Sequence, residues 1–511
     1  MYWIDRVLDE LVTGKSEDHD FLVSSGVSPS GTYHLGTLRE VLTAEAISRG
    51  LKHRGLRSRH VHVVDDLDVF RKVPVDVPKD FNQYLGKPLC DIPSPDPKSD
   101  SYADFFLRDL LDAAVDLHLD MEVVRAHEKY REGFFVPAIE KTLENVDKVR
   151  SVLEGVSGRK LDKDWTPIQV IEDGYLKNRK FVGIDKDNKT ITYQNNENEE
   201  FNIKYDKGNV KLNWRVDWPA RWWLLGVDAE PFGRDHATKG GSYDTGKFIA
   251  SDVFGINAPL PVPYNFINKT GDTKKMSKSA GDTVTASELL KILPAEVVWF
   301  FILRYSPDKL LFFDTAETLV RLIDEFAALL AKPDKTDDEK RLVEMCMYGV
   351  DVPTITNIPF SHLVASYQAS LKDSEKTVEI IMRTEHKDTA ELDKEVIIRE
   401  LKFIESWLEN WAPDELKFSL IKLPDSAQFK ETEVKYFNSL ADKIEGAPEG
   451  ADGEWFHLSI YSHKDDLGLQ PKELFSSLYK LIIGKDSGPR AGWFLSILPR
   501  GWLIDRLRLK K

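Results

Sequence analysis

Cysteine is nearly absent. The 511 residues contain two, Cys90 and Cys346, too few for a disulfide framework or a cysteine-rich zinc site. No opening run is long and apolar enough for a signal peptide or a membrane span, which predicts a cytoplasmic protein without a membrane partner. An excess of basic charge is also lacking: 70 Lys and Arg stand against 85 Asp and Glu, for a net charge of −15. That balance neither requires nor forbids nucleic acid, because a local basic stripe on an acidic protein can still dock RNA and release counterions. Internal repeats and low-complexity tracts are missing. So are two common phosphate-binding fingerprints. Gly26, Gly31 and Gly36 do not have the spacing G-x-G-x-x-G. Gly241 to Lys247 has the glycine and lysine spacing of a P-loop, but Phe248 stands where Ser or Thr would hold magnesium, so this segment predicts a helix entry instead.

What is present centres on Ser24 to Thr37. The apolar run Phe21-Leu22-Val23 predicts a buried strand, Ser24 to Gly36 a glycine-rich turn, and Leu38 to Leu51 an amphipathic helix. Strand, glycine-rich turn and helix form a phosphate-handling arrangement, because the helix N-terminus offers free N–H groups and partial positive charge. A second strand follows at Arg57 to Asp66, with Asp65, Asp66 and Asp68 at its end. Strand, helix, strand within one short stretch is a right-handed parallel unit, and acids at the carboxyl edge of such a sheet sit where ligands bind. Prolines break residues 71–101 into loops. Residues 102–156 have helical spacing, 160–213 form a β-rich insertion, and 195–200 read as an exposed turn. Asn213 to Trp223 is rich in tryptophan, and Leu224, Leu225 and Val227 predict a strand running into Gly233, with Asp235 and His236 emerging at its end. Residues 283–330 predict helices, and 331–511 a separate α-helical domain. The length itself predicts about three domains.

His34-x-Gly36-Thr37 resembles the HIGH signature of class I aminoacyl-tRNA synthetases, and Lys275-Met276-Ser277-Lys278-Ser279 is a complete KMSKS, their other signature. Together with Ser25 to Gly31, Asp65-Asp66-Leu67-Asp68, Asp217 to Trp222, Gly233-Arg234-Asp235-His236, Gly240 to Asp244 and Gly488 to Gly492, they make most of the chain similar to the class I lysyl-tRNA synthetases of archaea. The resemblance implies a Rossmann-like α/β catalytic domain over 1–270, with its insertion at about 100–213. It implies the KMSKS loop and stem-contact helices over 271–330, and an all-α anticodon-binding domain over 331–511.

It also implies a site. ATP would be held by His34, Gly36, Thr37, Gly233, Asp235, Met276, Ser277 and Lys278, with His34, Lys275 and Lys278 acting on the phosphates. Gly26, Ser28, Trp214, His236 and Tyr264 would hold L-lysine. Glutamyl relatives carry an arginine where this chain has Ser24, and a small neutral residue neither pairs with glutamate nor repels an ammonium. The family commonly has Tyr-Glu where this chain has Tyr264-Asn265, so the acid facing the ammonium stays open among Asp66, Asp68, Asp217 and Glu230. Many relatives bind zinc through cysteines near 165–180. Here Val170 to Gly174 has none, which predicts no structural zinc and no protein-held metal. The partners implied are tRNA(Lys), L-lysine and ATP with Mg2+; the oligomeric state stays open, with a monomer slightly favoured. Three rival readings carry less: a glutamyl or glutaminyl enzyme, against which Ser24 stands; a short nucleotidyltransferase, which lacks the KMSKS and the helical domain; and a paralogue that binds tRNA without charging it.

Overall fold

The run at Phe21 begins the central strand of a sheet. β1 (Phe21–Val27) pairs in parallel with β2 (Ser58–Val64), from Phe21 opposite Ser58 to Val27 opposite Val64. Ser24, Ser25 and Gly26 therefore belong to the strand and not to the turn that follows it. Gly26 suits this close approach, since a Cβ there would lie 2.9 Å from the Val63 carbonyl oxygen. β3 (Met121–Arg125) extends the sheet beyond β2. It lies in a stretch whose spacing predicts only helix, because so short a strand between helices leaves no alternation to read. The computed structural model describes residues 2–271, 284–422, 424–448, 450–463 and 468–510.

The insertion comes next. β4 (Ile168–Glu172), β5 (Tyr175–Asn178), β6 (Lys180–Asp185), β7 (Thr190–Gln194), β8 (Glu200–Lys204) and β9 (Val210–Leu212) form two antiparallel sheets, ordered β5-β4-β9 and β6-β7-β8. The β-rich reading of this segment holds. Asp173 and Gly174 have φ of 53° and 80°, a two-residue hairpin turn whose twist matches the flanking strands. Ile168, Val170, Ile191 and Val210 belong to the core it shares with neighbouring helices.

The chain then returns to the other side of β1. The tryptophan-rich segment is a helix, Trp214–Leu225, ended by Gly226 at φ 72°; it is not the strand expected through Leu224 and Leu225. Trp214, Trp218 and Trp222 recur every fourth residue, which places them on one helix face. β10 (Ala229–Gly233) and β11 (Leu260–Tyr264) complete a parallel sheet ordered β11-β10-β1-β2-β3. Strand order reverses between β1 and β10, and in such sheets the crevice for ligands lies at the carboxyl ends of the two strands at the reversal. The segment at Gly241 is a helix entry, as expected: Gly241 precedes the helix Ser242–Ile249.

The helix after β1 runs Leu35–His53, starting at Leu35 rather than Leu38. It is buried almost all round and not along one face, because the helix Trp3–Val12 lies on its outer side; a Cβ on Gly50 would come within 2.8 Å of Leu8 Cδ1.

Two compact units divide the chain. The first comprises Met1–Leu290, Val298–Phe313 and Thr336–Gly349; the second comprises Lys291–Val297, Asp314–Lys335 and Val350–Lys511. The first holds the parallel sheet, the insertion and a short parallel pair, β12 (Ile267–Lys269) with β13 (Leu311–Phe313). β13 interrupts the helical spacing expected over 283–330. Among its described residues the second unit is helical. The helices Glu431–Glu445, Pro471–Ile483, Ala491–Ile497 and Arg500–Leu507 share one core around Tyr436, Leu440, Leu478, Phe494 and Leu503. Trp407 is fully buried and donates its indole N–H to the Thr315 carbonyl at 2.6 Å, so it packs and is not a surface platform. The fold class is thus a parallel α/β sheet with a small insertion, followed by a helical carboxyl-terminal region. Among the described residues, no helix is long and apolar enough to cross a membrane.

Candidate active site

Three elements converge at the carboxyl ends of β1 and β10. The first is the N-terminus of the helix Leu35–His53. His34 is its N-cap, and its Nδ1 accepts the backbone N–H groups of Gly36 at 3.0 Å and Thr37 at 3.3 Å. These are two of the donors a helix start leaves unpaired. The Gly36 and Thr37 N–H groups, expected to receive a phosphate, are both directed at His34 Nδ1 in this structure. With Nδ1 accepting, the neutral ring carries its proton on Nε2, which makes Nε2 the donor. Gly36 is required by contact: a Cβ there would lie 2.7 Å from His34 Cε1.

The second element is a cavity of about 450 Å3. Gly26, Ser28, Trp214 and His236 line it together, so four of the five residues expected around lysine share one space. Trp214 and Trp218 stack at 5.2 Å with an interplanar angle of 14°. The His236 ring lies 5.6 Å from Trp218 and 6.2 Å from Trp214. This aromatic wall offers faces that attract a cation. Tyr264, the fifth, is not part of the lining. Its hydroxyl donates to Glu40 at 2.6 Å, and burial together with Glu40 holds the phenol well above its ordinary range.

The third element is a set of buried charges. Asp65 meets Lys211 at 3.1 Å and Arg221 at 3.0 Å. Burial raises the pKa of Asp65, but Arg221 and Lys211 outweigh this and hold it at about 2. Arg221 also pairs with Asp217, four residues earlier on the same helix, and Asp217 accepts the Tyr130 hydroxyl. Asp68 is gripped by both Arg71 nitrogens at 2.8 Å and accepts the Ser28 hydroxyl at 3.1 Å. Glu40 accepts the Gly26 N–H at 2.8 Å.

Gly233 ends β10, and Asp235 is exposed just beyond it. A Cβ on Gly233 would meet the Asp235 carboxylate at 2.6 Å, so glycine lets that side chain fold back over the strand end. Lys275, Met276, Ser277 and Lys278 lie outside the described residues. The chain that leads toward them is anchored nonetheless. Arg39, 1% exposed, donates to the carbonyls of Asn265, Phe266, Pro307 and Lys309 at 2.6 to 3.1 Å.

Glu40, Lys211 and Arg221 were not legible as site residues. Arg221 had a signal, since an acid and an arginine four apart on a helix face each other. Lys211 had a misleading one, because Val210-Lys211-Leu212 reads as a strand with its lysine in solvent. Glu40 had none. A buried relay also runs under the site: Ser25 Oγ is 2.8 Å from His60 Nε2, and His60 Nδ1 is 2.9 Å from Glu45. It has the order of a hydrolase triad, but all three residues are at most 1% exposed, so no substrate reaches the hydroxyl and the relay serves to tie β1, β2 and the helix together.

A parallel sheet with its ligand crevice at the β1/β10 reversal, a His-x-Gly helix cap and a KMSKS further along define a class I aminoacyl-tRNA synthetase. The family profile described as tRNA synthetases class I (K) matches residues 1–351. Lysine--tRNA ligase 1 of Methanosarcina acetivorans is 37% identical over 99% of this chain and 98% of its own. The lysine--tRNA ligase of Archaeoglobus fulgidus is 33% identical over 99% of each, and that of Pyrococcus horikoshii 32% identical over the full length of both. The chain belongs to the class I lysyl-tRNA synthetase family.

Proposed function

We propose that this protein attaches L-lysine to tRNA(Lys) in two ATP-dependent steps, through a lysyl-adenylate. The observation that carries the reading is the cavity. Its first-strand side carries Ser24, Gly26 and Val27, all uncharged, its wall is aromatic, and the carboxylates of Glu40, Asp65, Asp68 and Glu230 outnumber the guanidiniums of Arg71 and Arg221 in its lining. Such a space suits a long cationic side chain and repels an anionic one.

In the first step a carboxylate oxygen of lysine attacks the α-phosphorus of ATP. The new P–O bond forms as the bond from the α-phosphorus to the bridging oxygen breaks, and pyrophosphate leaves. Positioning and charge stabilisation are the protein's main work in such a transfer. His34 donates from Nε2 toward the phosphates, Asp235 accepts from the ribose hydroxyls, and Lys278, with Lys275 beside it, neutralises the β- and γ-phosphates. Met276 and Ser277 complete that loop's hold on the nucleotide. Mg2+ arrives with ATP, needing no dedicated protein cage. The insertion folds without zinc, on the apolar core it shares with neighbouring helices. In the second step the terminal adenosine's 2′-hydroxyl attacks the adenylate carbonyl, forming the ester and releasing AMP. The helical region carries the anticodon contacts. The protein works in the cytoplasm.

The test is pyrophosphate exchange with each of the twenty amino acids, with and without bulk tRNA. Exchange that depends on lysine supports the reading. Exchange with glutamate would refute the role of Ser24. Absence under both conditions from folded, tRNA-binding protein would favour a non-charging paralogue.

Two variants separate the ATP side from the lysine side. Lys278→Ala is expected to lower the exchange rate about 10²-fold or more, the usual cost of one phosphate-stabilising donor, with little change in KM for lysine. A loss expressed only in lysine KM would refute that role. Gly36→Ala drives its Cβ into His34 and displaces the imidazole, so the exchange rate is expected to fall about 10²-fold by the same reasoning. Thermal stability falls only by about 1 kcal/mol, the worth of a cap. Unchanged turnover in this variant would remove His34 from the phosphate site.

A further inference from the structure

The second unit holds a cluster of nitrogen and oxygen donors that the lysine reaction does not use. His362 lies in the first turn of the helix Phe360–Ala369. Glu385 and His386 lie on the connection between the helices Ser374–Ile381 and Lys387–Leu392, and His386 is the N-cap of the latter. The fold brings the three together. His362 Nδ1 and His386 Nε2 face each other at 3.1 Å, and a Glu385 carboxylate oxygen is 3.8 Å from the same His386 nitrogen. One ligand atom from each residue lies within 4.8 Å of the other two.

The spacing has a chemical meaning. Two imidazoles and a carboxylate are a recurrent ligand set of zinc, which leaves a fourth tetrahedral position to water. Two nitrogens bound to one tetrahedral ion at about 2.0–2.1 Å stand about 3.3 Å apart, close to the 3.1 Å between His362 and His386. Glu385 is exposed, so its carboxylate can close on an ion by rotation, without moving the backbone. Without an ion, one imidazole nitrogen must donate a proton to the other. With an ion between them both offer lone pairs, and each ring keeps its proton on the far nitrogen.

The surroundings hold the rings ready. His362 stacks on Trp493 at 4.3 Å and 18°, which fixes the direction of Nδ1. The His386 backbone N–H donates to Thr384 Oγ1 at 3.2 Å, which pins the connection. Burial first, then His386 and Arg490, lower His362 to about 4 against the pull of Glu385, and burial lowers His386. His362 and Glu385 also line a cavity of about 1380 Å3 within this unit, so the fourth position has an open side. Arg383, Lys387, Arg490 and Arg500 line the same cavity. That basic lining disfavours a hard cation held by charge through oxygens, and leaves an ion bound by imidazole lone pairs.

We propose that His362, Glu385 and His386 form a site for a divalent transition-metal ion of the zinc class, which ties the start of the helix Phe360–Ala369 to the connection at 382–386. The site departs from the expectation, drawn from the missing cysteines, that the protein holds no metal. It does not depend on how the lysine cavity is filled.

The test is calorimetric titration of the metal-free full chain with Zn2+, and with Co2+ for its visible bands, on wild type, His386→Ala and Glu385→Gln. A thermal melt accompanies each. Wild type is expected to bind zinc at micromolar concentration, to show the bands of tetrahedral cobalt, and to melt higher with the ion than without it, since an ion held by the folded chain alone stabilises it. His386→Ala should weaken binding about 100-fold and Glu385→Gln about 10-fold, at least what the loss of an outer partner of a metal ligand costs. Glu385 is on the surface, so its variant carries the test should His386→Ala not fold. Equal zinc affinity in wild type and variants would place the ion elsewhere, and binding at millimolar zinc alone would mean an adventitious ion only; either result overturns the assignment. So does folded wild type that takes up neither metal, which would leave His362 and His386 as a hydrogen-bonded pair.

Discussion

Replacing Ser24 by arginine is expected to lower lysine-dependent pyrophosphate exchange by about 10³-fold, from the several kcal/mol that a like charge placed against the ammonium costs. Ser24 is 3% exposed and lines the cavity, so the guanidinium has no route to solvent and must occupy the pocket. Glu40, Asp65, Asp68 and Glu230 line the same cavity, and the guanidinium pairs with this acidic lining in place of the ammonium. The same pairing prevents a simple switch to glutamate, because the new cation is already neutralised. Ser24→Ala, which changes neither charge nor space appreciably, should stay within tenfold of the wild type (roughly, by the size of one neutral hydrogen bond). The measurement is exchange kinetics for lysine and glutamate, with a thermal melt to establish that the variant is folded. A Ser24→Arg enzyme with wild-type KM for lysine would place the substrate elsewhere.

The second large effect concerns stability. Asp65→Asn keeps the shape of the side chain but leaves Lys211 and Arg221, 3% and 7% exposed as side chains, with one fewer buried anion between them. Removing one member of a buried ion cluster typically costs about 3–5 kcal/mol, since the remaining charge stays desolvated. In urea this should shift the unfolding midpoint of the sheet-bearing unit downward by about 1 M or more, read through the fluorescence of Trp214, Trp218 and Trp222. The pH dependence follows in sign. Asp65 has a folded pKa of about 2 against an ordinary 3.8. Its contribution is therefore present in full above about pH 4 and is lost as pH falls toward 2. The difference between wild type and Asp65→Asn should shrink across that interval and not at neutral pH. A difference that stays constant down to pH 2 would show that charge is not the cause.

The parts that could be read before any coordinates are those where local chemistry is sufficient. Phe21-Leu22-Val23 is apolar enough to be a buried strand in any arrangement, and His34-x-Gly36 marks a helix start because a histidine can cap and a glycine can make room for it. The β-rich insertion was legible from its turn residues, and the helical carboxyl-terminal region from its spacing. The KMSKS at Lys275 to Ser279 is recognised by residue identity alone. Boundaries were poorer. β1 runs on through Ser24, Ser25 and Gly26, since pairing with β2 outweighs the turn preference of serine and glycine. The Trp214–Leu225 segment is a helix, since three tryptophans at helical spacing bury one face.

Charge assignments depended wholly on the tertiary structure. Asp66, Asp68, Asp217 and Glu230 are indistinguishable as letters. They differ in what lies against them, and the partners come from distant places: Arg125 from β3, Arg71 from the loop after β2, Tyr130 from the helical stretch before the insertion. Pairing depends on distances of a few ångström between residues tens of positions apart, and no periodicity or motif encodes it. The sequence by itself determined the class of chemistry, through a phosphate-handling strand, turn and helix and a lysine-bearing signature at 275–279. Only the tertiary structure decided which carboxylates are paired with a neighbouring cation, because electrostatic pairing is settled by three-dimensional proximity and burial.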